Sequence, residues 1–121
     1  MQTYPQAAPF GLGVTCSAEV LVTGALIALI GRLDVHAAAD VRMALVDAVP
    51  AGSGDLVLDV SQLTALDATG LGVLVGVHRR SQRAGRVLVL RDVPPVVARL
   101  LFLTRLDRVL RTARTAFPAA H

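Results

Sequence analysis

The side chains with chemistry to offer are concentrated in Asp59-Val60-Ser61-Gln62-Leu63-Thr64-Ala65-Leu66-Asp67-Ala68-Thr69-Gly70-Leu71-Gly72-Val73-Leu74. A carboxylate and a hydroxyl two residues apart, then Gly and an apolar run, mark a strand giving way to a helix. Thr69 falls at or near the helix N-cap, beside amides that lack intrahelical partners. Asp67 is placed to cap instead. Two readings of Thr69 stand side by side. Its hydroxyl is a cap contributing about 1 kcal/mol, or it is an exposed group at a helix tip, where dipole and free amides tolerate an added phosphate.

The remaining reactive residues assemble no site. His36 precedes a predicted helix, His78 lies within one and His121 is the last residue, so no pair has metal-ligand spacing. Asp55, Asp59 and Asp67 lie at or beyond strand ends, where α/β sheets place active sites. No partner base, nucleophile elbow or phosphate loop accompanies them. Gly70-Leu71-Gly72 followed by Gly76 lacks the dinucleotide-binding spacing. The residues describe a protein that is not an enzyme and needs no cofactor and no metal.

The elements that must position this stretch follow from pattern and composition. With 121 residues, 54% of them hydrophobic, the chain has material for one domain with a substantial core. That excludes disorder, and the lone Cys16 excludes a disulfide scaffold. The longest uncharged apolar run, Val20 to Ile30, is too short for a membrane span, which needs about 20 residues. The uncharged stretch from Met1 to Ala18 has no basic n-region and is broken by Pro5 and Pro9, unlike a signal peptide. The expected location is cytoplasmic, with Cys16 reduced and inert and no stable membrane insertion.

Charge is divided unevenly. Residues 1–77 carry two Arg against seven acids, a net −5, and residues 78–121 carry ten Arg against two acids, a net +8; the sum is the overall +3. With one Tyr, three Phe, no Trp and no helix-turn-helix pattern, the basic half is read as a solvated or protein-facing surface rather than a nucleic-acid site.

Residues 1–12 read as a leader. Val14 to Val20 alternate apolar and polar with the period of an edge strand. After a Thr23-Gly24 turn, Ala25 to Leu33 is apolar throughout, as in a central strand; a single helix from Ala18 to Ile30 is the rival. Asp34 is expected to cap a helix over 36–49 whose stripe is Ala38, Val41, Leu45 and Ala48. A short strand over 55–60 then leads through a loop to a second helix over 70–83, which stops at Gly85. A strand over 86–90, a third helix opened by Pro94 and Pro95 and running through about Thr104, and a last strand at Val109-Leu110 follow. Strand, strand, then helix and strand in alternation predicts a single α/β domain: a mixed, mostly parallel sheet of about 4–5 strands with its helices on one side. Leu100-Leu101-Phe102-Leu103 puts apolar side chains all around the third helix, to be covered by neighbouring helices, a partner or a second subunit.

The central stretch resembles the signature of the STAS domain, shared by sulphate transporters and bacterial anti-sigma factor antagonists. That family reads Asp-Leu-Ser, a short hydrophobic segment, then Asp-Ser-Ser/Thr-Gly-Leu-Gly; here stand Asp59-Val60-Ser61 and Asp67-Ala68-Thr69-Gly70-Leu71-Gly72. Gly31-Arg32-Leu33-Asp34 is similar to the family's Gly-Glu-Leu-Asp, and Leu103-Thr104-Arg105-Leu106-Asp107 to its Leu-Thr-Gly-Leu-Asp. The three blocks, in order, place a STAS domain over about 13–112 and a short tail over 113–121.

What the resemblance implies is a bacterial anti-sigma factor antagonist, a switch in transcription regulation that binds an anti-sigma factor with serine/threonine kinase activity. By position, phosphorylation at Thr69 ends the interaction. Partner binding would use Asp34, Leu66, Asp67, Ala68, Gly70, Leu71, Gly72 and Leu74. Two other roles within the family are an accessory subunit of a lipid-trafficking ABC transporter and a sensor of a nucleotide or lipid. The chain departs from the pattern at Ala68, which replaces the first hydroxyl residue. It departs again where the family's C-terminal amphipathic helix is absent or reduced to Ala113 to Ala120, interrupted by Pro118. The apolar surface this leaves suggests a homodimer.

Overall fold

The computed structural model describes residues 15–115. The predicted leader, Val14, the tail beyond Thr115 and His121 lie outside them. Five strands form one sheet in the order β1 (Cys16–Val22), β2 (Leu26–Leu33), β3 (Asp55–Leu66), β4 (Val87–Arg91) and β5 (Arg111–Ala113). β1 is antiparallel to β2, and every later pair is parallel. Between them run α1 (Ala38–Ala48), α2 (Ala68–Arg83) and α3 (Pro95–Leu103), then a 3₁₀ turn at Leu106–Arg108.

Because strand order never reverses, right-handed crossovers carry the helices over a common face. The core lies there. Ile27, Leu29, Leu56, Leu58, Val60 and Leu90 are fully buried, against Val97 and Leu101 of α3, Leu74 of α2 and the expected α1 stripe, Ala38, Val41, Leu45 and Ala48. On the other face Ile30, Val57 and Asp59 are half-buried and Val87 is exposed, with Ala28 and Val89 buried between them.

The rival helix over 18–30 does not form. Gly24 takes φ +70°, a conformation few other residues adopt, and the chain reverses into the β1–β2 hairpin. β1 runs on to Val22, two residues past its expected end. It buries Cys16 but leaves Val20, Leu21 and Val22 exposed.

The largest correction concerns β3. The predicted short strand and loop are one twelve-residue strand. Its register against β2 slips twice, between Ala28 and Ile30 and again between Gly31 and Arg32. Each slip inserts one residue, so the inward positions run Val60, Leu63, Leu66 instead of alternating. Strict period-two reading loses such a strand at its first bulge.

Smaller shifts follow from caps and turns. α1 starts at Ala38 because Asp34 caps a preceding turn rather than the helix itself. α2 starts at Ala68, and the last strand falls at 111–113, since Val109 and Leu110 close the 3₁₀ turn through bonds to the Leu106 carbonyl. β4 starts at Val87, leaving Arg86 outside the sheet and buried. Its guanidinium donates to the carbonyls of Gly24, Ala48, Val49, Ser53, Gly54 and Asp55. The arginine that completes β4's approach thus ties the hairpin, the end of α1 and the entry to β3 together. On α3, Leu101 is buried and Leu100 half-buried, while Phe102 and Leu103 remain exposed.

Candidate functional site

β2 and β3 are parallel neighbours, so they leave the sheet side by side and deliver two turns to one place. After β2, the Asp34 carboxylate accepts hydrogen bonds from the Thr15 hydroxyl (2.6 Å) and the amides of His36 (3.0 Å) and Ala37 (3.3 Å). The Thr15 hydroxyl is the largest influence and holds its pKa below the usual carboxylate value; desolvation, next in size, opposes it, and the two amides add to the lowering. Asp34 is therefore spent on shaping the turn, and that turn presents Val35 to solvent.

After β3, Asp67 is the N-cap of α2. Its Oδ1 accepts from the Gly70 amide at 2.8 Å. Its Oδ2 reaches across to accept from the Val35 amide at 3.2 Å, and its own amide donates to the Leu33 carbonyl at 3.3 Å. One carboxylate thus closes the helix end and ties the two turns to each other. Gly70 is required for this approach. A Cβ there would collide with the Leu33 carbonyl oxygen and come within 2.8 Å of Leu33 Cγ and Leu66 Cδ1.

The two readings of Thr69 now separate. Asp67 makes the cap, so the Thr69 side chain is not needed for it, and Thr69 stands exposed in the first turn of α2. Of the residues the resemblance assigned to partner binding, Asp67, Ala68 and Gly72 are exposed beside it, and Asp34 and Leu66 are half-buried. Gly70, Leu71 and Leu74 are buried. Leu74 is wholly inaccessible, so it supports the helix from within. Val35, exposed to 60%, was not singled out by sequence reasoning, although an apolar residue between Asp34 and His36 is a visible anomaly. Thr15 was missed as well; nothing local in the sequence ties it to Asp34.

Elsewhere, Arg91 pairs with Asp59 at 3.1 Å, and Asp59 also accepts from the Ser61 hydroxyl. Among the described residues no three His, Cys, Asp or Glu side chains converge as metal ligands. Burial pushes the Cys16 thiol up to about 11, so it stays protonated and unreactive at neutral pH. No described helix is long and apolar enough to cross a membrane.

Comparison with known proteins decides the family. The STAS domain model matches residues 17–117. The chain belongs to the STAS domain family. An anti-sigma F factor antagonist of Paenibacillus polymyxa is 31% identical over 86 residues, covering 70% of this STAS domain chain and 74% of the relative. An anti-sigma factor antagonist of Mycobacterium paratuberculosis superposes with a TM-score of 0.67 at 25% identity, over 91% of this chain and 92% of that one. The antagonist SpoIIAA in its unphosphorylated form shares the fold, with a TM-score of 0.66 at 19% identity over 84% and 88% of the two chains. The phosphorylated Bacillus SpoIIAA does so at 0.62. Within this STAS domain, the position where the family motif carries Gly in Leu-Thr-Gly-Leu-Asp is Arg105, which takes a left-handed φ of +63°.

Proposed function

We propose that this STAS domain is an anti-sigma factor antagonist. It binds a kinase-type anti-sigma factor through the surface around Thr69 and is released when Thr69 is phosphorylated. It performs no chemistry of its own; the kinase activity belongs to the partner. The observation that carries the reading is that Asp67 caps α2, leaving Thr69 exposed at the helix tip.

The physics of the switch is consistent in sign. A phosphate on Thr69 adds about −1.5 to −2 charges at pH 7. The amides and dipole at the start of α2 accommodate that charge within the domain. At an interface the same charge must be desolvated and faces Asp67. Each 1.4 kcal/mol lost there weakens binding about tenfold. The relatives support the partner class: those compared above are anti-sigma factor antagonists, and one is known in phosphorylated and unphosphorylated forms.

The test is a quantitative pull-down from native lysate with wild type, Thr69→Ala and Thr69→Glu, accompanied by phosphopeptide mass spectrometry of the wild-type bait. An anti-sigma factor captured by wild type and Thr69→Ala, and lost with Thr69→Glu, is the expected result. Retention by Thr69→Glu with no phosphate ever found on Thr69 would sink the switch. A transporter ATPase as the captured protein would replace the reading altogether.

A further inference from the structure

We infer that the partner surface does not stop at the Thr69 loop but runs on along the trough between α1 and α2, with Val35, Ala39 and Met43 as its apolar wall. This rests on the anti-sigma reading above and names where the same partner continues. The starting observation is the Asp67 carboxylate, whose two oxygens hold the first turn of α2 and the Val35 amide together. Thr69 and Val35 are therefore presented by one rigid junction, with the exposed Val35 side chain beside the hydroxyl-bearing turn.

From that junction the spacing carries the surface onward. Residues 35, 39 and 43 succeed one another at four-residue intervals, which aligns them along one side of a helical segment. The turn before α1 is helical enough to join the row, since the Ala38 amide already donates to the Asp34 carbonyl at 2.9 Å. Val35 is 60% exposed and Met43 66%, and Ala39 between them is exposed as well. The opposite stripe of α1 fills the core, so this row is a second apolar face, left exposed among the described residues.

Two depressions fix the direction this face looks. A hollow of about 260 Å³ is lined by Ala39, Arg42, Met43 and Val46. Val46, with Asp47, also lines a groove of about 410 Å³ whose far wall is Arg80 and Arg83 of α2 and its C-cap Ala84. The row on α1 thus borders the trough between the two helices, and it starts at Val35, whose amide the Asp67 carboxylate ties to the turn that carries Thr69. On α2, residues 69, 76, 80 and 83 recur at helical spacing along the same side. Arg80 and Arg83 outweigh Asp47 across the groove and give it a basic end, suited to an acidic terminus on the incoming element. The occupant that fits is an apolar-faced segment of the anti-sigma factor, lying along the trough and ending over Thr69. A phosphate on Thr69 would then sit at the end of a long contact instead of at an isolated loop.

The experiment measures affinity by calorimetry between the full chain and the anti-sigma factor it captures, for wild type, Met43→Glu, Ala39→Arg and, as a control at a distant exposed patch, Phe102→Ser. Both α1 side chains point to solvent, so melting temperatures should match wild type. The expected result is at least about tenfold weaker binding for Met43→Glu and for Ala39→Arg, with Phe102→Ser unchanged. If wild type binds the anti-sigma factor and both α1 variants bind within twofold of it, the trough is not part of the interface, while the Thr69 reading survives. If wild type binds no anti-sigma factor, the trough assignment falls with the reading beneath it. A dimeric wild type made monomeric by Met43→Glu, with anti-sigma affinity unchanged, would assign the face to a second copy and overturn the inference.

Discussion

Asp34 and Asp67 look alike in sequence, each an acid at a strand exit before a helix, yet they are used differently. Asp67 divides its two oxygens between a helix end and a neighbouring turn, whereas Asp34 turns one oxygen to Thr15 and its own turn's amides. Asp34, Asp59 and Asp92 are all held below the ordinary carboxylate value of 3.8. A carboxylate depressed in the fold binds protons more readily when unfolded. Its contribution is therefore present above about that value and is lost as pH falls through the folded value. Thr15→Val removes the largest cause of the depression at Asp34. Its destabilisation in urea should be clear at pH 7 and shrink toward pH 3; equal destabilisation at both would show that the hydroxyl does not act through the carboxylate. The candidate site was legible to the extent that it is local. Asp67, Thr69 and Gly70 declare themselves by type and spacing. That Asp67 rather than Thr69 makes the cap, and that Val35 and Thr15 join the cluster, depends on strands pairing across many residues, which no local window contains.

At the scale of elements, α1's stripe and α3's opening prolines were readable because burial and backbone stereochemistry impose them directly. β3 was not, since two inserted residues shift the inward face without leaving a composition signal. α2 carries a second irregularity. Gly76 lies within the helix, and a Cβ built there meets nothing within 4 Å, so the fold gains no space from it. Glycine in a helix interior costs about 0.5–1 kcal/mol relative to alanine. Gly76→Ala should therefore raise unfolding stability by about that amount in urea titration. A loss of stability instead would mean that the domain itself needs the bare backbone at this point. Arg105 presents the reverse case, a long side chain left in a left-handed conformation that glycine enters more readily.

For the molecule as a whole, the governing contact is one that charge counting could not locate. Arg86 belongs to the basic half of the sequence, but its guanidinium is buried and serves six backbone carbonyls, with no carboxylate among its hydrogen-bond partners in the described residues. Five N–H donors in a planar fork suit that task, and a compact ammonium does not. Arg86→Ala should cost about 3 kcal/mol or more, since buried acceptors lose charged donors. Arg86→Lys should recover less than half of that in the same denaturant titration. Stability unchanged in Arg86→Ala would show that water satisfies the carbonyls equally well.

The position of Arg86 along the chain has a consequence for biosynthesis. Each strand pairs only with its neighbour in sequence, so a nascent chain can add strands in the order they leave the ribosome, without reserving a gap for a later one. All six carbonyls, however, belong to residues 24–55 and must wait for residue 86. The first half is thus released with its topology complete and its fastening absent. A translation pause before that codon would hold a chain that already has its β1–β2–β3 order but not the cation that locks it.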